Sequence, residues 1–183
     1  ALFNQNINYK RFSFMERISV FDIFKIGIGP SSSHTMGPWR AAQAFVHQLK
    51  YNSIFDNVVS VHIWLYGSLA KTGKGHGTDM AVQLGLNGDD PVTIPVENVD
   101  KNIAKIKATS SLLLGGEKTL VFHPGENILF LKDQSLDYHS NGLTFVATLK
   151  DGSDFKETYF SIGGGFIVKE NENSTSTSIE FPY

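Results

Sequence analysis

Val58-Val59-Ser60-Val61-His62-Ile63-Trp64-Leu65-Tyr66 runs without a break into Gly67-Ser68-Leu69-Ala70-Lys71-Thr72-Gly73-Lys74-Gly75-His76-Gly77-Thr78-Asp79. In the first stretch Val59, Val61, Ile63 and Leu65 alternate with Val58, Ser60, His62, Trp64 and Tyr66, which is the pattern of a β-strand. Apolar side chains on both faces predict a buried, central strand. The second stretch holds four glycines between 67 and 78, so it reads as a strand-to-helix loop, with Met80, Ala81 and Leu84 marking the helix beyond it. Upstream, Trp39, Ala42, Val46 and Leu49, with Phe45 beside them, recur at spacings of three and four and predict an amphipathic helix. Gly37-Pro38 marks its first turn, where proline's missing N–H costs nothing.

Downstream, Asn87-Gly88-Asp89-Asp90-Pro91 is a turn, and Val99, Ile103 and Ile106 predict another helix capped by Asn98 or Asp100. After that the pattern becomes β. Residues 119–122 and 127–131 read as strands. Leu143, Phe145, Ala147 and Leu149 alternate up to an Asp151-Gly152 turn, and the return strand over 155–161 makes a hairpin. The expected class is α/β of the α+β type, a mixed sheet with antiparallel hairpins in its later part and helices packed on it. Residues 1–17 show no period and read as an N-terminal extension. Residues 170–178 are all Glu, Asn, Ser or Thr and read as a linker, and the apolar close Ile179-Glu180-Phe181-Pro182-Tyr183 is expected to be a cut, making this a fragment of a longer chain.

The 183 residues carry 16 Lys+Arg against 18 Asp+Glu, a formal charge of −2. A chain of this length buries roughly 70% of its unfolded surface without staples. Near-balanced charge with no long run of one sign argues against nucleic acid or an anionic membrane as partner. With neither a signal peptide nor an apolar run long enough to span a bilayer, the cytoplasm is the expected compartment. There is no cysteine, which excludes disulfides, thiol catalysis and any thiolate-held zinc or iron–sulfur centre built from this chain alone.

Four segments gather glycine and small polar residues: 27–35, 67–79, 139–142 and 161–165. Each was expected at the end of an element, where binding groups collect. In the first, Ser31, Ser32, Ser33, His34 and Thr35 precede a helix whose free N–H groups and dipole favour a carboxylate or phosphate. A single serine or threonine would suffice as a cap. The second fails as a phosphate loop, because five residues separate Gly67 from Gly73 and a glycine follows Lys74. It fails as a dinucleotide fingerprint because Thr78 stands where the last glycine should be. What it does present is His76 between Gly75 and Gly77, either an unhindered general base or an exposed turn histidine. His139-Ser140-Asn141-Gly142 is compatible with a plain turn. The run Gly163-Gly164-Gly165 interrupts a good strand, and three glycines exceed what a bulge needs, so close approach of a ligand is expected there. His47, His62 and His123 read as structural. Neither metal-ligand spacing nor a Gly-x-Ser-x-Gly elbow is present, so no metal site is assigned.

Taken together, residues 19–35, 66–79, 139–142 and 159–166 resemble, in that order, the β domain (β chain) of bacterial iron–sulfur L-serine dehydratases, and the likeness runs over 18–183. That β domain is itself similar to the allosteric substrate-binding domain of some D-3-phosphoglycerate dehydrogenases. The resemblance implies an L-serine ammonia-lyase that releases pyruvate and ammonia without pyridoxal phosphate. It implies a 4Fe-4S cluster held by the cysteines of a separate α domain or chain, with none bound here, and a homodimer. Elimination needs a base, fixed donors for the carboxylate and an electrophile on the leaving oxygen. The resemblance places His76 as the base with His139 as its alternate or as a residue orienting substrate. Substrate binding falls to Ser31, Ser32, Ser33, His34, Thr35, Lys74, Thr78, Asn141, Ser161 and Gly163. The competing expectation is a regulatory module that binds serine or a small anion and catalyses nothing.

Overall fold

The computed structural model describes residues 31–170, so the expected extension over 1–17, the start of the expected domain, and the polar and apolar tail over 171–183 lie outside the described residues. Within them, α1 (Met36–Tyr51) leads through a 3₁₀ turn (Phe55–Asn57) into β1 (Val58–Tyr66), and α2 (Gly67–His76), α3 (Thr78–Leu86) and α4 (Val96–Thr109) follow. β2 (Ser111–Leu114), β3 (Lys118–Val121), the short α5 (Pro124–Asn127), β4 (Ile128–Leu131), β5 (Gly142–Leu149), β6 (Asp154–Gly163) and β7 (Phe166–Lys169) complete the chain. Five strands form a mixed sheet in the order β4-β1-β5-β6-β7, parallel between β1 and β4 and antiparallel elsewhere, while β2 and β3 form a separate hairpin. The mixed α+β architecture predicted from patterning is therefore present.

The alternation in β1 sets which side becomes core. Val61, Ile63 and Leu65 face the helices together with Ala147, Phe145 and Leu143 of β5, their direct partners across the strand pair, and all six are fully buried. Phe45 of α1 stacks on Phe145 with ring centroids 5.0 Å apart, which anchors the helix to the sheet. β1 is hydrogen-bonded on both sides as predicted, but only one of its faces is fully buried: Ser60, His62 and Trp64 on the other are half-exposed, and Lys156 lies 4.5 Å over the Trp64 ring. A β-branched and aromatic run therefore overstated burial, because Trp64 keeps an edge in water. On the core side, buried Glu157 accepts hydrogen bonds from Tyr159 Oη and Lys169 Nζ, each at 2.5 Å, tying β7 to β6.

Helix α1 begins where the stripe and Pro38 placed it, and it closes with Asn52 Nδ2 donating to Gln48 O at 2.8 Å. A second apolar cluster joins Trp39, Ala81, Leu84 and Val99 across α1, α3 and α4. Three expectations are corrected. Residues 67–76 are a helix and not a loop. α4 starts at Val96 behind Pro95, so Asn98 and Asp100 lie inside it and cap nothing, proline's fixed φ having set the entry. Asn127 closes α5 and does not start a strand: its Oδ1 accepts from His123 N–H and its Nδ2 donates to Val61 O. The strand β2 carried too short a signal to be read.

The contact between α1 and α3 is tight at Gly85, where a β-carbon would lie 2.5 Å from Trp39 O and 2.7 Å from Ala42 Cβ. A gain in helix propensity of about 0.8–1.0 kcal/mol favours alanine there. Separating α1 from α3 costs about 1–3 kcal/mol. Overpacking wins because the obstructing atom is backbone. Gly85→Ala should therefore lower the urea midpoint of unfolding, and an unchanged or raised midpoint would show the interface to be slack.

Candidate functional site

At the carboxyl end of β1 the backbone turns directly into α2. Gly67 there has φ +49° and faces Ser140 O so closely that a β-carbon would collide with it, and only glycine satisfies both conditions. The junction is fastened by Gly67 N–H to Gln134 O at 2.8 Å and Ser68 N–H to Ser140 O at 2.9 Å. α2 forms despite its glycines because Leu69, Ala70 and Gly73 bury one side against the sheet, and packing overrides propensity. Gly77, left-handed at φ +79°, then ends α2 with its N–H on Gly73 O and opens α3. The expected loop is thus two helices meeting at one residue.

Helical periodicity puts Ser68, Thr72 and His76 on a single face of α2. That face meets the turn before α1. His34 Nε2 lies 3.1 Å from Ser68 Oγ and 3.0 Å from Thr72 Oγ1, and its Nδ1 lies 3.3 Å from Ser31 Oγ and 3.1 Å from Ser33 Oγ. Thr78 Oγ1 donates to His34 O at 2.6 Å, and Thr35 Oγ1 to Ser31 O at 2.8 Å. The His34 and His76 rings are 4.9 Å apart between centroids. His76 Nδ1 is buried with no hydrogen-bond partner.

The remaining segments close the other side. His139 Nδ1 accepts from Asn141 N–H at 3.0 Å, which leaves its neutral form protonated on Nε2. Asn141 Nδ2 donates to Ser161 O at 3.2 Å, and Ser161 N–H returns a bond to Asn141 O at 3.0 Å. Ser161 Oγ fills the space beside Gly37 that any larger residue in α1 would need. Gly163, Gly164 and Gly165 all have positive φ and form the β6–β7 turn, and the conformation that the turn demands favours glycine at each of them. Arg40 reaches Gly165 O at 3.2 Å.

Of the residues singled out from the sequence, Ser31, Ser33, His34, Thr35, His76 and Thr78 are thus brought into one cluster. Asn141, Ser161 and His139 form a second one, joined to the first through Ser140 and Gly37. Ser32 is exposed. Lys74 is exposed too, with its charge felt by Asp79. The hydroxyls of Ser31, Ser33 and Thr35 are engaged within the chain. Ser68 and Thr72 were missed, and the signal was present: their i, i+4 spacing with His76 becomes visible once 67–76 is read as helix.

Burial is the main cause that pushes the His34 pKa below its ordinary value, and the nearby His76 adds to it, against a hydrogen bond with Ser68 that works the other way. Burial likewise raises the Asp79 carboxyl, opposed by backbone N–H groups and by Lys74. The cluster is therefore rich in hydroxyls, disfavours the charged form of His34 and holds a second imidazole whose Nδ1 is uncommitted. Among the described residues no group of three His, Cys, Asp or Glu could hold a metal ion, and no helix is long and apolar enough to cross a membrane.

Comparison with known proteins bears on all four segments at once: the family model for the serine dehydratase beta chain matches residues 19–172. The chain belongs to the serine dehydratase beta chain family. It is 46% identical over 155 residues to an L-serine dehydratase of Streptomyces coelicolor, covering 84% of this chain and 34% of that protein. It is 44% identical over 178 residues to the L-serine dehydratase of Mycobacterium bovis, covering 91% of this chain and 37% of the other. L-serine dehydratase 1 of Escherichia coli is 39% identical over 170 residues, again 91% of this chain and 37% of the relative. This serine dehydratase beta chain sequence thus spans about a third of the length of the relatives it matches.

A folded-state His34 pKa below the unfolded value of about 6.5 means that the folded form binds fewer protons, so stability increases with pH across that interval. It is present in full above about pH 6.5 and is lost as pH falls through the folded value. His34→Asn should flatten that portion of the stability profile, measured by urea unfolding at a series of pH values. A profile that keeps its slope would assign the proton to another group.

Proposed function

We propose that this chain is the substrate-facing β domain of an L-serine dehydratase, an L-serine ammonia-lyase of the cytoplasm that assembles as a homodimer and converts L-serine to pyruvate and ammonia without pyridoxal phosphate. Membership of the serine dehydratase beta chain family supports the reading, as does the name L-serine dehydratase carried by relatives 38–46% identical. The observation that carries it is the pairing of a neutral, hydroxyl-bound His34 with His76, whose Nδ1 has no partner.

The residues present do not fit a 4Fe-4S cluster: with no cysteine, the chain offers no thiolate to iron. The cluster's ligands belong to a cysteine-bearing α portion outside this sequence, and what this chain contributes is proton transfer and placement of substrate. His76 takes the proton from the α-carbon of serine. A base acting near neutral pH must be mostly unprotonated, and an imidazole is suited to that. His34 cannot serve in its place, since each of its ring nitrogens is engaged by two hydroxyls. Instead it holds the Ser68–Thr72 face of α2 against the turn before α1 and so fixes where the His76 ring lies. His139 stands as the second candidate base, its Nδ1 taken by Asn141 and its Nε2 free to orient substrate. Ser31, Ser32, Ser33, Thr35, Lys74, Thr78, Asn141, Ser161 and Gly163 line the region that receives the substrate, whose carboxylate lies towards the helix start at Ser31–Thr35.

In the full-length enzyme assayed anaerobically for pyruvate release from L-serine, His76→Asn should lower kcat by about 10²–10⁴, the range for loss of a general base. His139→Asn should act more on KM. A His76→Asn enzyme with near-normal kcat would remove His76 from this role, and wild-type enzyme that binds serine without turnover would favour a regulatory module.

A further inference from the structure

Three of the glycines around α2 have an internal reason: Gly67 faces Ser140 O, a β-carbon at Gly73 would lie 2.8 Å from Thr78 Oγ1, and Gly77 is left-handed. Gly75 has none. Its φ is not positive, and a β-carbon there would meet nothing within 4 Å. It lies in the last turn of α2, where glycine weakens a helix relative to alanine. By helical periodicity it sits on the side of α2 directly away from Leu69, Ala70 and Gly73, at the crest of the exposed ridge. Lys71 is one turn before it on the same crest and Lys74 is adjacent, both exposed and neither in an ion pair among the described residues. His76 is the next residue.

A bare crest flanked by two exposed lysines beside the candidate base is what a closely packed, acidic surface requires. Gly125 has equally open surroundings but belongs to a four-residue surface turn, where helix propensity is not at stake. The chain spans 34–38% of the length of its relatives, so most of the enzyme lies outside it. We propose that the exposed ridge of α2, with Gly75 at its point of closest approach and Lys71 and Lys74 beside it, is a docking surface for an acidic segment of the remaining part of the enzyme. The inference rests on the reading of this chain as one domain of a larger dehydratase.

The full-length enzyme tests it in two ways. A photo-crosslinking residue in place of Lys71 should join a peptide outside residues 1–183, with a yield that falls as salt is added. Gly75→Leu should keep the melting temperature and lower kcat/KM at least tenfold, while the Gly125→Leu control changes neither. If Gly75→Leu fails to fold, Gly75→Ala carries the test, with a raised melting temperature and lowered kcat/KM expected. Absence of any cross-link beyond residues 1–183, normal kcat/KM in Gly75→Leu, or a rise in KM alone without a cross-link would overturn the proposal. The last result would assign the open space to substrate. An enzyme that cross-links from Lys71 but releases no pyruvate from L-serine would remove the functional reading and leave the interface standing. An active enzyme without the cross-link would do the reverse.

Discussion

Everything at the candidate site follows from one backbone approach, Ser140 O against Gly67. A carbonyl this close to a residue at φ +49° admits no side chain, and it accepts the N–H of Ser68 in the same place. The contact joins the loop before β5 to the carboxyl end of β1, so the start of α2 cannot drift from the sheet. Once that start is set, helical geometry fixes the azimuth of Ser68, Thr72 and His76 together. A helix beginning one residue later would turn the same three side chains through about 100° and carry them away from His34.

The second constraint is electrical. His34 is surrounded by hydroxyls, which can donate or accept, so its hydrogen bonds survive in either tautomer. Burial and the neighbouring imidazole therefore decide its charge, and both disfavour the proton. The two rings have centroids 4.9 Å apart, and His34 is the one fastened by four hydroxyls. Asp79, the nearest carboxyl in sequence, is itself drawn towards its neutral form by burial. Burial thus works against the charged form of both groups.

The sheet was legible in the sequence because its strands obey a period of two with a buried face, and α1 because proline and the stripe of Trp39, Ala42, Val46 and Leu49 agree on its start. α2 was not. Its glycines argue for a loop on local propensity, and what overrides them is tertiary: Leu69 and Ala70 packed on the sheet, Gly67 and Gly73 forced by close neighbours, Gly77 spent on a left-handed end. The glycine run at 163–165 is a turn, whose positive φ values favour glycine at all three positions. The candidate histidines were visible as residue types at unusual positions. Their pairing was not, because nothing local in residues 31–35 or 67–76 says that a turn and a helix far apart in sequence will share a cluster of hydroxyls.

That contrast bears on why the helix next to His76 is built from poor helix formers. A glycine inside a helix costs about 0.5–1 kcal/mol relative to alanine. At Gly67 and Gly73 the cost is offset within the domain, since a larger residue would collide with Ser140 or Thr78. At Gly77 it is offset by the reversal that starts α3. Gly75 alone spends helix stability with no return from the described residues, and it does so on the exposed crest beside the proposed base. A domain that completed its site by itself would have no use for a bare crest there. The proposed docking surface gives that position its reason, in a chain that spans about a third of the length of the relatives it matches.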